Sequence, residues 1–548
     1  MYHKLLAATL LLIIHSFTGV AQSKKYDMSD PVDLELEGVN KVLCMKNGNT
    51  MLFHFQIGKG ITVKIFDSLH KEIASTKTLT RIFDLGVLRV ATFKGLIDIN
   101  NEGVLFIEQE HLSKYQLVRL RFNSADGTLI NEELVCESKS LKKRTRSFVM
   151  TNEAAPGYAI FFFTEDALFQ KCDAFVNYYD GKHQLSKNVT LDVDRKKYDA
   201  ADAVGAEMQP NGICITLALS KMKTNGTSRN IGYGSAAVYD HDLAVYFIDK
   251  NSNVAKQKVM DVTDNIFSYY SLYTYNSFAR NLNLLLVSYV EVSYKVGLFW
   301  TPGAIVNDVL VKLNENDLAP KATVIKNKIA STSPSQNVQN GKGYEGMPVK
   351  IYTNDSGISM MISEYCMRQA NDKTKKYPKS TLFGDICLTW FDSDGNEVSG
   401  IILPKAQMEK GLERYYQVRE ISMKWQDAAF FDDVPEVVYE RQFVSINTFN
   451  KGGDIYIIYN DADENINSPI GRRGTPVYNF GHTNTACYKI TRENEITRQY
   501  LFGEPAGDNK VSFIEGADCD VQRGTYAALT QYTKGDAVSL RMAWSRLQ

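Results

Sequence analysis

Trp390-Phe391-Asp392-Ser393-Asp394-Gly395-Asn396-Glu397 decides the fold: an apolar strand end, a polar turn, then the start of a second strand. Asp, Asn and Gly tolerate the positive φ that tight hairpins demand, so the stretch reads as a link between adjacent antiparallel strands. The same form recurs at Ile65-Phe66-Asp67-Ser68, at Arg121-Phe122-Asn123-Ser124-Ala125-Asp126-Gly127 and at Tyr178-Tyr179-Asp180-Gly181. It returns at Phe247-Ile248-Asp249-Lys250-Asn251, Lys312-Leu313-Asn314-Glu315-Asn316 and Lys489-Ile490-Thr491-Arg492-Glu493-Asn494. The spacing between these turns is loose, yet never shorter than four short strands need.

A second recurrence lies upstream of the turns, where a strand ends in Gly and a strongly apolar strand follows. Examples are Ile97 to Gly103 before Val104-Leu105-Phe106-Ile107, and Val349 to Gly357 before Ile358 to Ile362. Val444 to Gly453 before Asp454 to Tyr459, and Cys519 to Gly524 before Tyr526 to Leu529, repeat it. Each unit therefore reads as four antiparallel strands, the blade of a β-propeller. Only Met408 to Lys424 has helical periodicity, so an α/β sheet is disfavoured. A pair of β-sandwiches is the competing all-β architecture.

The count is eight units, with seven as the alternative. The last unit, from about Ser512 to Leu547, lacks a fourth strand, and the alternating Val32-Asp33-Leu34-Glu35-Leu36-Glu37 is predicted to supply it and close the ring. The mature chain, 22–548, is thus read as one propeller domain with insertions at 221–242, 331–345, 367–384, 407–437 and 461–485. Loops of such length in compact proteins are usually functional. The strand-turn-strand around Phe391 to Glu397, running into Ile401-Ile402-Leu403-Pro404-Lys405-Ala406-Gln407, resembles secreted propeller-like repeat proteins of Bacteroidetes-type bacteria. That resemblance implies export and a propeller fold, and attaches no activity. The Trp-Asp signature of WD repeats is absent.

Lys4, the apolar run Leu5 to Ile14 and the small residues Gly19-Val20-Ala21 form a secretory signal peptide, with cleavage expected after Ala21. The run is shorter than the ~20 residues that cross a bilayer. No membrane span is expected in the mature chain, which is placed in the periplasm, on the outer surface or outside the cell. With a net charge of −1, the chain has no basic excess to recruit nucleic acid. Tyr and Phe, 30 and 27 against 4 Trp, suit half-buried strands. The 8 cysteines include no C-x-x-C pair, and most sit in apolar stretches, so buried free thiols are expected.

The search for chemistry turns up loops and no catalytic motif. His54, His70, His111, His183, His241 and His482 form neither H-x-H nor H-E-x-x-H, and a G-x-S-x-G elbow is missing. Asp432, Asp433 and Glu436 beside Trp425 and Tyr439 combine carboxylates with aromatics, which suits sugars and would serve glycoside chemistry. Arg472 and Arg473, with Tyr478 and His482, form a second loop of binding character. Asp461-Ala462-Asp463-Glu464-Asn465 has the oxygen density for calcium but no glycine at the bend. Aligned on the first strands of the units, Glu37, Glu345, Glu440 and Glu515 share one position, predicting a carboxylate ring at a channel mouth, with Asp518 and Asp520 nearby, that would hold Ca2+. The function expected is non-catalytic binding or scaffolding at the cell envelope, with a glycan, peptide or protein partner on the loop-rich face. A carbohydrate-active enzyme, glycoside hydrolase or lyase, is the alternative.

Overall fold

The computed structural model describes residues 25–547 except 36–37, 139–143, 153–155, 166–171, 223–228, 232–233, 237–238, 262–267, 277–280, 297–298, 315, 319, 326–343, 345, 355, 370–379, 411–441, 445 and 470–474. The signal-peptide reading of 1–21 lies outside these residues. The described chain is an all-β propeller built of four-stranded antiparallel sheets. Val39–Cys44, Thr50–Gln56, Gly60–Phe66 and Glu72–Thr78 make the first sheet, each strand pairing with the next. Sheets of the same order follow over 92–137, 144–190, 200–261, 268–325, 347–403 and 447–500. The last sheet, over 508–546, takes its outer strand from the other end of the chain.

Burial falls from the middle of each sheet to its outer edge. The second strands Thr50–Gln56 and Tyr158–Glu165 are buried at every position, because each lies between two neighbouring sheets. That is why they read as continuous apolar runs. The fourth strands, such as Glu72–Thr78, alternate exposed and half-buried residues. The core lies between sheets: one cluster joins Phe53, Phe55 and Val63 of the first sheet to Leu105, Val118 and Phe122 of the second. Another joins Val42, Leu52 and Phe66 of the first to Val511, Met542 and Trp544 of the last, so the ring meets itself.

All seven quoted turns connect the third and fourth strands of their sheets. Their first polar residue is a side-chain cap. Asp67 Oδ1 accepts the Leu69 and Lys71 N–H at 2.9 Å each, and Asp180 Oδ1 accepts those of Lys182 and Gln184 at 2.8 and 2.9 Å. Asp392 Oδ1 does the same with Asp394 and Asn396, and Thr491 Oγ1 accepts the Glu495 N–H at 3.2 Å. Three residues on from the cap the backbone turns left-handed, at His70, His183, Gly395 and Asn494. The glycine turns join first and second strands, with one difference: at 100–101 it is Asn100 and Asn101 that take positive φ. Gly103 is small for another reason, since a Cβ there would meet Met51 Sδ of the first sheet at 2.7 Å.

Closure by the chain ends holds, but through other residues. Tyr26–Met28, not Val32–Glu37, pairs with the last strand, Tyr26 opposite Ser545 and Met28 opposite Ala543. Ser29 and Val32 then donate their N–H to Met542 and Leu540 carbonyls, after which 33–35 leave the sheet. Tyr26 and Met28 pack against Leu501, Phe502 and Tyr526, between the seventh and last sheets. Val32 fills the first-sheet side instead. Three further expectations are corrected. The insertions 221–242 and 367–384 are in part strand extensions, pairing Met222 with Tyr239 and Gln369 with Ser380. The helical reading of Met408 to Lys424 fails at its start, where Gln407–Lys410 is a strand against Ser380–Phe383; the residues from 411 on lie outside the described set.

Candidate functional site

Strand parity sorts the loops. Because neighbouring strands alternate in direction, the first-to-second and third-to-fourth turns emerge on one face of the ring. Second-to-third links and sheet-to-sheet links emerge on the other. Both recurring short turns therefore share one plain face. The insertions 221–242, 367–384 and 461–485 are second-to-third links, and 331–345 and 407–437 join sheets, so the strand ends that flank all five lie at the opposite face.

Of the binding candidates there, Trp425, Asp432, Asp433, Glu436, Arg472 and Arg473 lie outside the described residues. Tyr478 and His482 are described, and both are exposed at the end of the 461–485 insertion. Between them Phe480 is buried and stacks on Phe443. Asn479 Oδ1 accepts the Gly481 N–H at 3.0 Å and fixes the short 3-10 turn that carries His482.

Of the carboxylate ring, Glu37, Glu345 and Glu440 lie outside the described residues. Glu515 is described: its carbonyl accepts from Lys41 Nζ at 2.7 Å, and its N–H donates to the Gln442 carbonyl. The two aspartates expected beside it have other partners. Asp518 Oδ2 accepts the Cys44 N–H at 2.7 Å, stitching the last sheet to the first, and Asp520 pairs with Arg523. Among the described residues no group of three or more His, Cys, Asp or Glu is placed to hold a metal. The oxygen-rich Asp461 to Asn465 splits up: Asp461 Oδ1 turns inward to Asn465 Nδ2 at 2.6 Å, Asp463 accepts from Asn484, and Glu464 faces solvent.

The buried polar groups towards the loop-rich face hold sheet-to-sheet links. Gln109 accepts the Asp84 N–H and donates to the Ile82 carbonyl, both at 2.9 Å. Glu165 accepts the Ala201 N–H at 2.7 Å and pairs with Arg195 at 3.0 Å. Glu364 holds Lys405 at 2.6 Å with both side chains buried. Asn460 bridges Phe443 and Ser512. Asp461 is 1 % exposed, and burial pushes its carboxyl up to about 7. Asp461 bonds within its own loop, and each of the other groups fastens the chain between two sheets. The cysteines Cys44, Cys136, Cys172, Cys214, Cys387, Cys487 and Cys519 are free thiols, and burial pushes the Cys136 and Cys487 thiols up to about 12, away from reactivity.

A cavity that no sequence motif announces lies on the plain face, at the seam of the first and last sheets. Its volume is about 430 Å³. Trp544, at the end of the last strand, forms its floor and donates its indole N–H to Thr50 Oγ1 at 3.0 Å. The His70 ring stacks flat on that indole, centroids 4.2 Å apart and 7° from parallel, while His70 Nδ1 lies 3.0 Å from Asp27 Oδ2 of the closing strand. Arg523 is pinned on two sides, Nε to Asp520 Oδ2 at 2.5 Å and Nη2 to the Met45 carbonyl. Gly48, at φ +101°, clears the space: a Cβ there would meet Arg523 Nη1 at 2.9 Å. The lining residues come from 25–27, 44–50, 68–70, 520–525 and 544–546, so only the closed ring assembles them.

No family model and no curated protein matches the sequence. Among solved structures, the WD40 domain of SCAP from fission yeast is 9% identical, covering 95% of this chain and 98% of that chain, with a TM-score of 0.32. The BP39L lectin from Burkholderia pseudomallei is 9% identical, covering 87% and 98%, with a TM-score of 0.33. A post-proline cleaving enzyme from Rickettsia typhi is 9% identical over 92% of this chain and 58% of that chain, at 0.34. Likeness at this level carries no argument about function, and the fold rests on the sheet order itself.

Proposed function

We propose that the chain is an exported, non-catalytic binding or scaffold propeller of the cell envelope, akin to the secreted propeller-like repeat proteins its turn motif resembles. The partner, a glycan, peptide or envelope protein, docks on the loop-rich face. One observation carries the proposal: the strand ends that flank all five insertions lie on the same side of the ring, while the capped third-to-fourth turns lie on the other. Enlarging loops on one face of a rigid ring builds a recognition surface without disturbing the core.

The test is a glycan array probed with the labelled chain lacking residues 1–21, run beside a variant in which 412–440 is replaced by a short Gly-Ser link. Binding that falls at least tenfold in the shortened variant supports the proposal. Binding that survives the replacement moves the site off this insertion and overturns it. Release of reducing sugar from a polysaccharide panel, abolished by Asp432→Asn or Glu436→Gln, would make the chain a carbohydrate-active enzyme instead.

A further inference from the structure

We propose that the seam cavity on the plain face is a second binding site, for a small organic anion with a flat ring body. Its volume, about 430 Å³, falls within the range of small-molecule pockets. The charge balance favours an anion. Both lining carboxylates are engaged by lining partners, Asp27 by His70 and Asp520 by Arg523. Lys25 and Arg546, at the rim, make no ion pair among the described residues.

Arg523 is the anchor. Two of its nitrogens are committed to Asp520 and the Met45 carbonyl, which fixes the guanidinium plane before any ligand arrives. Nη1, over Gly48, is left to receive an oxygen. A pre-positioned planar fork is the donor that suits a carboxylate, and its ordering cost is already met by the fold. The flat part of the lining is the His70–Trp544 stack, with the His70 side chain 26 % exposed. Aromatic faces and edges favour offset or edge-on packing of a second ring. A bare inorganic anion would leave that wall wet, so the ring body is part of the recognition. The site is independent of the loop-rich face, and its failure would leave the proposed function standing.

The experiment is calorimetric titration of the purified protein with 2-naphthoate, 2-naphthamide and inorganic phosphate. One-to-one binding of 2-naphthoate, at least tenfold tighter than the neutral amide or phosphate, is expected. Lys25→Glu with Arg546→Glu, both exposed positions, should weaken it a further tenfold or more, and Ser68→Trp, which fills the cavity without a charge change, should abolish it at an unchanged melting temperature. Equal binding of the amide, tighter binding of phosphate, no saturable binding, or affinity that survives both variants would overturn the site. If Ser68→Trp unfolds the protein, the charge-reversal pair alone decides.

Discussion

Asp461 shows how a single side chain couples the ring to pH. Its Oδ1 accepts from Ala462 and Asn465, while Oδ2 is buried without a partner. Burial raises the folded-state carboxyl to about 7 from an ordinary 3.8. The folded protein therefore holds this proton more tightly than the unfolded chain does. Stability from this group is fully present below pH ~4 and is lost as pH rises to about 7, by up to about 4 kcal/mol. Melting curves between pH 4.5 and 8 should show Asp461→Asn with a flatter pH dependence than the parent protein; parallel curves would refute the assignment. Lys405 and Glu364 make a second residue-scale case. Lys405→Ala takes the ammonium away from a buried carboxylate and should cost about 3–5 kcal/mol in denaturant unfolding, whereas Lys405→Met with Glu364→Leu should recover most of it. A double variant no better than the single one would show that the pair orders its surroundings in some further way.

The repeated turn is the element that organises the chain. Its cap acts within five residues, from Asp180 to Gln184 or Asp392 to Asn396, so it forms from local sequence alone. In the 180–184 turn the cap accepts two backbone N–H groups, and each such bond contributes on the order of 1 kcal/mol. Asp180→Asn keeps the accepting oxygen and should leave stability nearly unchanged, while Asp180→Ala should lower it by about 1–2 kcal/mol in urea unfolding. Equal losses in the two variants would mean that charge, not acceptance, is what matters there. The same locality explains why these turns were legible in the sequence as a series. Gly103 was misread for the opposite reason, since its demand comes from Met51 in a neighbouring sheet and no pattern within its own strand shows it.

For the whole molecule the decisive event is closure, in which three residues, Tyr26–Met28, complete a sheet begun more than four hundred residues later. Removing residues 1–31 should uncover the edge of the last strand and the seat of Tyr26, lowering the melting temperature by several degrees. Altering only Leu34, by Leu34→Ser, should cost less than the truncation, because 33–35 pair with nothing in the sheet and half-buried Leu34 loses only its packing on the core between the first and last sheets. A larger loss from Leu34→Ser than from the truncation would restore the closing role to Val32–Glu37. The all-β class, the four-stranded unit and the recurring turns were determined by the sequence itself, because period-two patterning and side-chain caps act over a few neighbouring residues. Which strand closes the ring, that the strand ends flanking the five insertions share a face, and that residues from both chain ends enclose a cavity were decided only by tertiary structure. Those features depend on strand direction around a ring and on contacts between positions far apart in the chain, and neither leaves a mark in local pattern.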